Sequence, residues 1–391
     1  MDILLFGGSF DPVHNGHVNI LRETLKVRSF DKVIVMPTGT PGHKASCKAP
    51  FEIRSHWAQL AFSPLGDEIE VSDYESRQEG KSYSYLTVNH LKEEYPDSRI
   101  FFLIGEDSAK TMPTWRNWET LARNTAFLVL ARDNDGDEDL KQAVDVIREL
   151  SPDTEYLKAP VFEISSTRIR QMAREGKDLS GLLPRKVAEE IKEYSIYSED
   201  EYERNVGTAR LLISLLLREK RARHTYNVAG FARQLAERHG ADPDKAYLAG
   251  LLPDIMKQVD EETLVRRAVN SEGERARTKP LPVLHGFARA DYIKKEMGIE
   301  DEDMINAIRS HTCGRAGMSD LEKVIYLADM LSPERQYPEK DYLTRIALQD
   351  LDRAMEAALG ESIRWINTKG GALDEDSVEA YEYFKKLNAR R

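Results

Sequence analysis

Two rhythms of apolar residues divide the chain. From residue 1 to about 195, short unbroken apolar runs (Leu4–Phe6, Val33–Met36, Phe101–Ile104 and Phe127–Leu130) alternate with stretches of helical spacing such as Val18–Val27, Phe51–Phe62 and Tyr85–Glu94. A run that is apolar at every position, rather than at every second one, predicts a strand covered on both faces and hence a mostly parallel sheet. The expected architecture is an α/β doubly wound parallel sheet, with ligands at the carboxyl ends of its strands.

The rhythm changes at Tyr194–Glu201, a polar tract that reads as a linker. Beyond it almost no strand candidates remain. Thr208–Leu217, Val228–His239, Ala246–Leu252, Glu262–Val269, Asp303–Arg309 and Leu321–Met330 all carry helical spacing, and Asp242-Pro243 reads as a cap followed by a helix-starting proline. The second half is therefore expected to be a separate all-α domain. The predicted domains are residues 1–197 and 203–391.

Composition narrows this picture in three ways. A chain of 391 residues can bury two cores, and 41% hydrophobic with 31% charged residues describes a globular protein. A net charge of −11 disfavours a nucleic-acid binder, which must neutralise many phosphates. Cys47 and Cys313 suggest no disulfide framework, no basic-then-apolar leader opens the chain, and no apolar run approaches the ~20 residues of a membrane helix. The expected location is the cytoplasm, with no membrane or nucleic-acid partner and a homo-oligomer left open.

Candidate chemistry begins where the first predicted strand ends. Gly7-Gly8-Ser9-Phe10-Asp11-Pro12-Val13-His14-Asn15-Gly16-His17 leads from that strand into a helix. Glycines let a backbone turn sharply and approach a phosphate, and two histidines at a helix start offer ring donors beside the positive helix end. Downstream, Ile164-Ser165-Ser166-Thr167-Arg168-Ile169-Arg170 places hydroxyls, helix-start N–H groups and Arg168 where they suit further phosphates.

These two strings, in this order, resemble the His-x-Gly-His and Ser-Ser-Thr signatures of the nucleotidylyltransferase superfamily. Intervening segments are similar to nicotinate mononucleotide adenylyltransferases over nearly all of residues 1–195. They are Pro41-Gly42-His43-Lys44 (a proline is common where Gly42 stands), Gly80-Lys81-Ser82-Tyr83-Ser84-Tyr85, Gly105-Glu106-Asp107 and Met112-Pro113-Thr114-Trp115. The resemblance implies transfer of AMP from ATP to nicotinate mononucleotide, giving deamido-NAD and pyrophosphate, with Mg2+ accompanying ATP. It implies that His14, His17, Lys44 and Arg168 act on the phosphates, and that Gly7, Gly8, Ser9, Phe10, Gly105, Asp107, Ser165, Ser166 and Thr167 bind ATP. The nicotinate moiety would meet His43, Tyr83, Ser84 and Trp115. A pantetheine-phosphate or cytidylyl-transfer relative is the alternative, against which the His43-Lys44 segment and Trp115 argue. An aminoacyl-tRNA synthetase is disfavoured by the charge.

The helical half carries His224, Asp254, His285, His311 and Asp329 on different helices or their ends. Imidazoles and carboxylates converging inside a bundle make a transition-metal site. Arg223-His224, Leu251–Lys257, Leu284-His285-Gly286, His311–Arg315 and Leu327-Ala328-Asp329 resemble an HD-superfamily phosphohydrolase, of the group that cleaves diadenosine tetraphosphate symmetrically. That resemblance implies a dinuclear iron or manganese site at those five residues, with dinucleoside polyphosphates as substrates. One departure stands out. The family's His-Asp doublet reads Pro253-Asp254, and a proline supplies no ligand and costs about 3 kcal/mol in a helix interior. Two readings stay open for this half, a hydrolase or a degenerate, regulatory nucleotide sensor.

Overall fold

The computed structural model describes residues 1–40, 47–78, 80–131, 138–158, 164–255 and 259–391. They form two compact units, Met1–Glu199 and Asp200–Arg391. His43 and Lys44 lie outside the described residues.

The first unit runs β1 (Asp2–Gly8), α1 (Asn15–Val27), β2 (Lys32–Pro37), α2 (Phe51–Phe62), β3 (Ile69–Val71), α3 (Tyr74–Arg77), α4 (Ser84–Glu94), β4 (Arg99–Gly105), α5 (Glu106–Thr111), α6 (Trp118–Arg123), β5 (Ala126–Ala131), α7 (Glu138–Arg148), β6 (Glu155–Lys158), α8 (Ser166–Arg174) and α9 (Arg185–Glu193). Its sheet is parallel throughout, in the order β3-β2-β1-β4-β5-β6. The four apolar runs of the sequence are the four central strands, buried on both faces as their patterning requires. The edge strands β3 and β6 escaped that reading. Each has a single neighbour and is partly exposed, and Leu157 alone of β6 is buried, so neither needs an apolar run.

Chain order reverses between β1 and β4, which opens a crevice at their carboxyl ends. Gly7 and Gly8 end β1 there and Gly105 ends β4. Below the loop that follows β1, Phe6, Phe10 and Phe62 meet edge to face with centroids 5.4–5.7 Å apart, an arrangement aromatic quadrupoles favour. Phe10 is fully buried and holds a left-handed φ of 46°, a strained conformation that its packing enforces.

The second unit is helical throughout its described residues: α10 (Glu201–Leu216), α11 (Glu219–His239), α12 (Pro243–Leu251), α13 (Glu261–Glu272), α14 (Leu281–Glu296), α15 (Glu302–Ser310), α16 (Asp320–Leu331), α17 (Lys340–Ala347), α18 (Leu351–Thr368) and α19 (Glu375–Asn388). The expected cap is present, the Asp242 carboxylate accepting from the Asp244 and Lys245 N–H groups ahead of Pro243. Two glycines allow the closest helix crossings. A Cβ on Gly250 would stand 2.6 Å from Ala229 Cα, and one on Gly286 would stand 2.6 Å from the Arg309 carbonyl oxygen.

Two expectations need correction. Pro253 is not inside a helix: α12 ends at Leu251, Leu252 is its C-cap, and Pro253 lies in the turn that follows. The tract Tyr194–Glu201 is not solvated along its length. Ile196 and Tyr197 are 1% and 2% exposed, and α10 begins at Glu201. Among the described residues, no helix is long and apolar enough to cross a membrane.

Candidate functional site

The β1–α1 turn carries the first cluster. His14 is the N-cap of α1, and its Nδ1 accepts the His17 N–H at 3.3 Å while His17 Nδ1 accepts the His14 N–H at 3.2 Å. Their rings stack at 3.6 Å. This reciprocal cap has a chemical consequence. With both Nδ1 atoms accepting, each neutral ring must carry its proton on Nε2, so both tautomers are set by backbone amides. Burial pushes the His14 imidazole down to about 4, which keeps it neutral. Two Nε2–H donors therefore sit at a helix N-terminus, beside the crevice where Gly7 and Gly8 end the strand, an arrangement suited to an anionic phosphate.

Residues far along the chain hold this turn. Arg54, 1% exposed, donates to the Ser9, Thr38 and Ala49 carbonyls at 2.8–3.0 Å. From the second motif, Ser166 Oγ donates to the Pro12 carbonyl at 2.9 Å and Arg170 donates to the Asp11 carbonyl at 2.6 Å. Ser165 caps α8 by accepting the Arg168 N–H, which leaves Thr167 and Arg168 exposed on the helix's first turn. The two signatures thus meet in space. The carbonyl-binding roles of Arg54 and Arg170 were missed in the sequence, where Arg54 is one cation on an amphipathic helix.

A second cluster lies near the start of α4. Tyr83, Ser84 and Trp115 line one cavity of about 70 Å³ together with Ser82, Tyr85, Arg116 and Leu121. Tyr83 is the N-cap of α4 and supplies no side-chain cap, and Ser84 and Tyr85 of the first turn line this cavity. The Arg116 guanidinium stands over the Tyr83 ring at 5.1 Å and adds a positive charge that sequence reasoning did not single out. Gly105 caps α5, and Asp107 is exposed in its first turn.

In the second unit the five predicted ligands fall into two groups. His224 Nε2 lies 3.0 Å from Asp329 Oδ1 and 3.7 Å from Asp254 Oδ2. His285 Nε2 lies 3.0 Å from His311 Nε2, with Thr312 Oγ1 within 3.2 Å of both. Second partners set the ring tautomers. Glu334, which the sequence did not flag, takes His224 Nδ1–H, and the Ile308 carbonyl takes His311 Nδ1–H at 2.6 Å. Both rings therefore turn Nε2 inward, as imidazole ligands of a metal do. Burial draws the His224 imidazole down, but hydrogen bonds to Asp329 and Glu334 outweigh it and raise the value.

Among the described residues the five do not close into a three-ligand cation cluster as they stand. Asp254 already faces Arg221 at 3.4 Å, and Asp329 faces Arg335 at 2.9 Å. Arg289, wholly buried, donates to the Leu252 carbonyl at 2.9 Å beside the Pro253-Asp254 step. Its Nε and Nη2 have no hydrogen-bond partner among the described residues, and burial draws it down to about 9 while the Asp254 charge supports it. Guanidinium charge and a proline thus surround the place of a second imidazole. A separate cluster, Cys313, Asp374 and Asp376, already holds a cation, since Lys279 Nζ lies 3.1 Å from Asp374 and 2.6 Å from Asp376.

Comparison with known proteins follows the same division. Residues 5–172 match the family described as cytidylyltransferase-like, and residues 221–334 match the HD domain. A Clostridium tetani protein named "Probable nicotinate-nucleotide adenylyltransferase" is 34% identical over 195 residues, 49% of this chain and 97% of that protein. A Mycoplasma genitalium protein named "Probable nicotinate-nucleotide adenylyltransferase/Ap4A hydrolase" is 29% identical over 358 residues, 90% of this chain and 95% of that protein. A solved Clostridium acetobutylicum structure, described as a "predicted HD superfamily hydrolase involved in NAD metabolism", is 35% identical with a TM-score of 0.43, covering 46% of this chain and 96% of that one.

Proposed function

We propose that this chain, which belongs to the nicotinate-nucleotide adenylyltransferase family, transfers AMP from ATP to nicotinate mononucleotide in its first unit. The observation that carries the reading is the reciprocal His14–His17 cap, which presents two Nε2–H donors at the start of α1. The mononucleotide's phosphate oxygen attacks the α-phosphorus in line; a new P–O bond forms as the bond to pyrophosphate breaks. No protein nucleophile is required, so the chain's work is positioning and neutralising charge. His14 and His17 contact the ATP phosphates through Nε2–H, Arg168 and Lys44 offset developing charge, and Mg2+ enters with the triphosphate. Gly7, Gly8, Ser9 and Phe10 bring backbone close to ATP, and Ser165, Ser166 and Thr167 line its phosphates.

Trp115 and Tyr83 take the pyridine ring, and the N–H groups at the start of α4 take its carboxylate. An amide's NH2 would oppose those donors, so nicotinate is preferred to nicotinamide. The test is to incubate the chain with ATP, Mg2+ and either mononucleotide and to identify the products. Deamido-NAD formed far faster than NAD is expected, and equal specificity constants for the two would remove the carboxylate argument.

In the second unit, His224, Asp254 and Asp329, with His311 and His285 beside them, would hold one divalent transition metal, which supplies Lewis-acid activation of water when bound. With Pro253 in place of an imidazole, hydrolysis of diadenosine tetraphosphate is weak and the unit's larger role is to bind nucleotide.

A further inference from the structure

We propose that Tyr197 is a positioning residue of the adenylyl-transfer site and acts on it through Asp11. The inference rests on the reading of function above and adds to it a residue outside both phosphate motifs. Asp11 is 3% exposed, and its carboxylate gathers three donors: Lys48 N–H on Oδ2 at 2.7 Å, Ala49 N–H on Oδ1 at 3.2 Å, and the Tyr197 hydroxyl on Oδ1 at 2.7 Å. Arg170 Nη1 also stands 3.8 Å from Oδ2. Burial and the Asp11 charge push the Tyr197 hydroxyl well above its ordinary value, so it keeps its proton and donates.

Two neighbouring amides alone leave a carboxylate free to tilt. The third donor, arriving from the far end of the unit, fixes its plane and with it the backbone of Asp11. From Asp11 the chain passes through buried Pro12 and Val13 to His14, whose ring is locked to His17 by the reciprocal cap. There is no slack along this path, because the Ser9, Asp11 and Pro12 carbonyls are each held by a side chain. The Tyr197 ring itself is seated near Trp57 at 6.2 Å, and Trp57 Nε1 donates to Glu190 of α9 at 2.8 Å. Tyr197 therefore ties the last helix of the unit to the histidines of its first turn.

The test is Tyr197→Phe in the full chain, which removes one hydroxyl and keeps the ring. Because small misplacements of reacting groups are costly, kcat should fall roughly tenfold and KM for ATP should rise, while KM for nicotinate mononucleotide stays within about twofold. The two substrates separate because Tyr83 and Trp115 take no part in the Asp11 network. In Asp11→Asn the same split should appear, and adding Tyr197→Phe to it should lower kcat by less than about twofold more. An unchanged kcat overturns the proposal. So do multiplicative effects in the double variant, or both KM values moving in step with a lowered Tm, as general loosening would give. Should Tyr197→Phe not fold, Asp11→Asn must show the split alone, and its absence is equally decisive. A natural chain that adenylylates no pyridine mononucleotide overturns the functional reading instead. Tyr197 is then read by calorimetry with MgATP, where Tyr197→Phe should weaken binding roughly fivefold and unchanged affinity overturns the proposal.

Discussion

Histidines occupy both candidate sites, and the two units hold them by opposite means. In the first unit His14 and His17 belong to one turn and receive their tautomers from each other's backbone amides. In the second, His224, His285 and His311 come from α11, α14 and the end of α15, and carboxylates, a carbonyl and one another orient them. The first arrangement is complete without any visitor. Its tautomers are set by the backbone, and burial keeps the His14 proton count fixed near neutral pH. The second gathers carboxylates around an imidazole whose proton they retain, with Arg221 and Arg335 facing two of those carboxylates. The lesson is that backbone preorganises donors, whereas side-chain networks prepare acceptors.

Removing one donor should have the largest effect. Replacing His17 by alanine should cut kcat by ~100-fold or more, as loss of a transition-state contact does. A steady-state assay showing an unchanged kcat with only a raised KM would mean that the ring binds ground-state substrate alone. On the acceptor side, Glu334→Ala should weaken metal affinity roughly 10–100-fold, as loss of a group that orients a ligand does. Dialysis against graded chelator followed by elemental mass spectrometry reads this directly, and equal retention by both proteins would place the ion elsewhere.

Pro253 sharpens the contrast further. The unaltered chain should hold fewer than two metals and release ADP from diadenosine tetraphosphate weakly. Pro253→His should raise both modestly, and more when combined with Arg289→Ala, since Arg289 is bonded to the Leu252 carbonyl beside that step. Helix straightening is not expected, because α12 has already ended. Two tightly bound metals with brisk hydrolysis in the natural chain would show that the donor set is sufficient without an imidazole at 253.

The smallest effect concerns His14 and acid. Folding lowers its value from 6.5 to about 4, so between those limits the unfolded chain binds the proton more readily. Stability from this group is therefore complete above about pH 6.5 and drains away as the pH falls toward 4, by on the order of 2 kcal/mol. Denaturant unfolding of the natural chain and His14→Gln from pH 7 to 4.5 should show the natural chain losing more. Parallel curves would mean that the ring is protonated inside the fold.

What could be read without coordinates follows from how each feature is encoded. The central strands announce themselves because both faces are covered, and His14, His17 and the Ser165–Thr167 string carry their chemistry in consecutive residues. Edge strands β3 and β6 carry no such pattern. Tyr197 was lost inside a polar stretch because one buried hydroxyl leaves no periodic trace, and its partner Asp11 is 186 positions away. Arg54 and Arg170 look like ordinary helix cations until their carbonyl partners are known. Glu334 lies beyond α16, where only the fold brings it to His224. Pro253 was misplaced because the helical spacing of Ala246–Leu252 continues up to it, whereas the helix stops at Leu251.

The anchors of the first turn also set an order of events during synthesis. The segment Ser9–His14 leaves a ribosome well before its fasteners Ser166, Arg170 and Tyr197, which lie 154, 159 and 186 positions from their partners. Contacts that distant form late, because a long loop must close before they contribute. A nascent chain would thus display its phosphate-binding turn long before the turn has a shape. It acquires that shape only when Tyr197 is free of the exit tunnel, by which time translation is well into the helical unit.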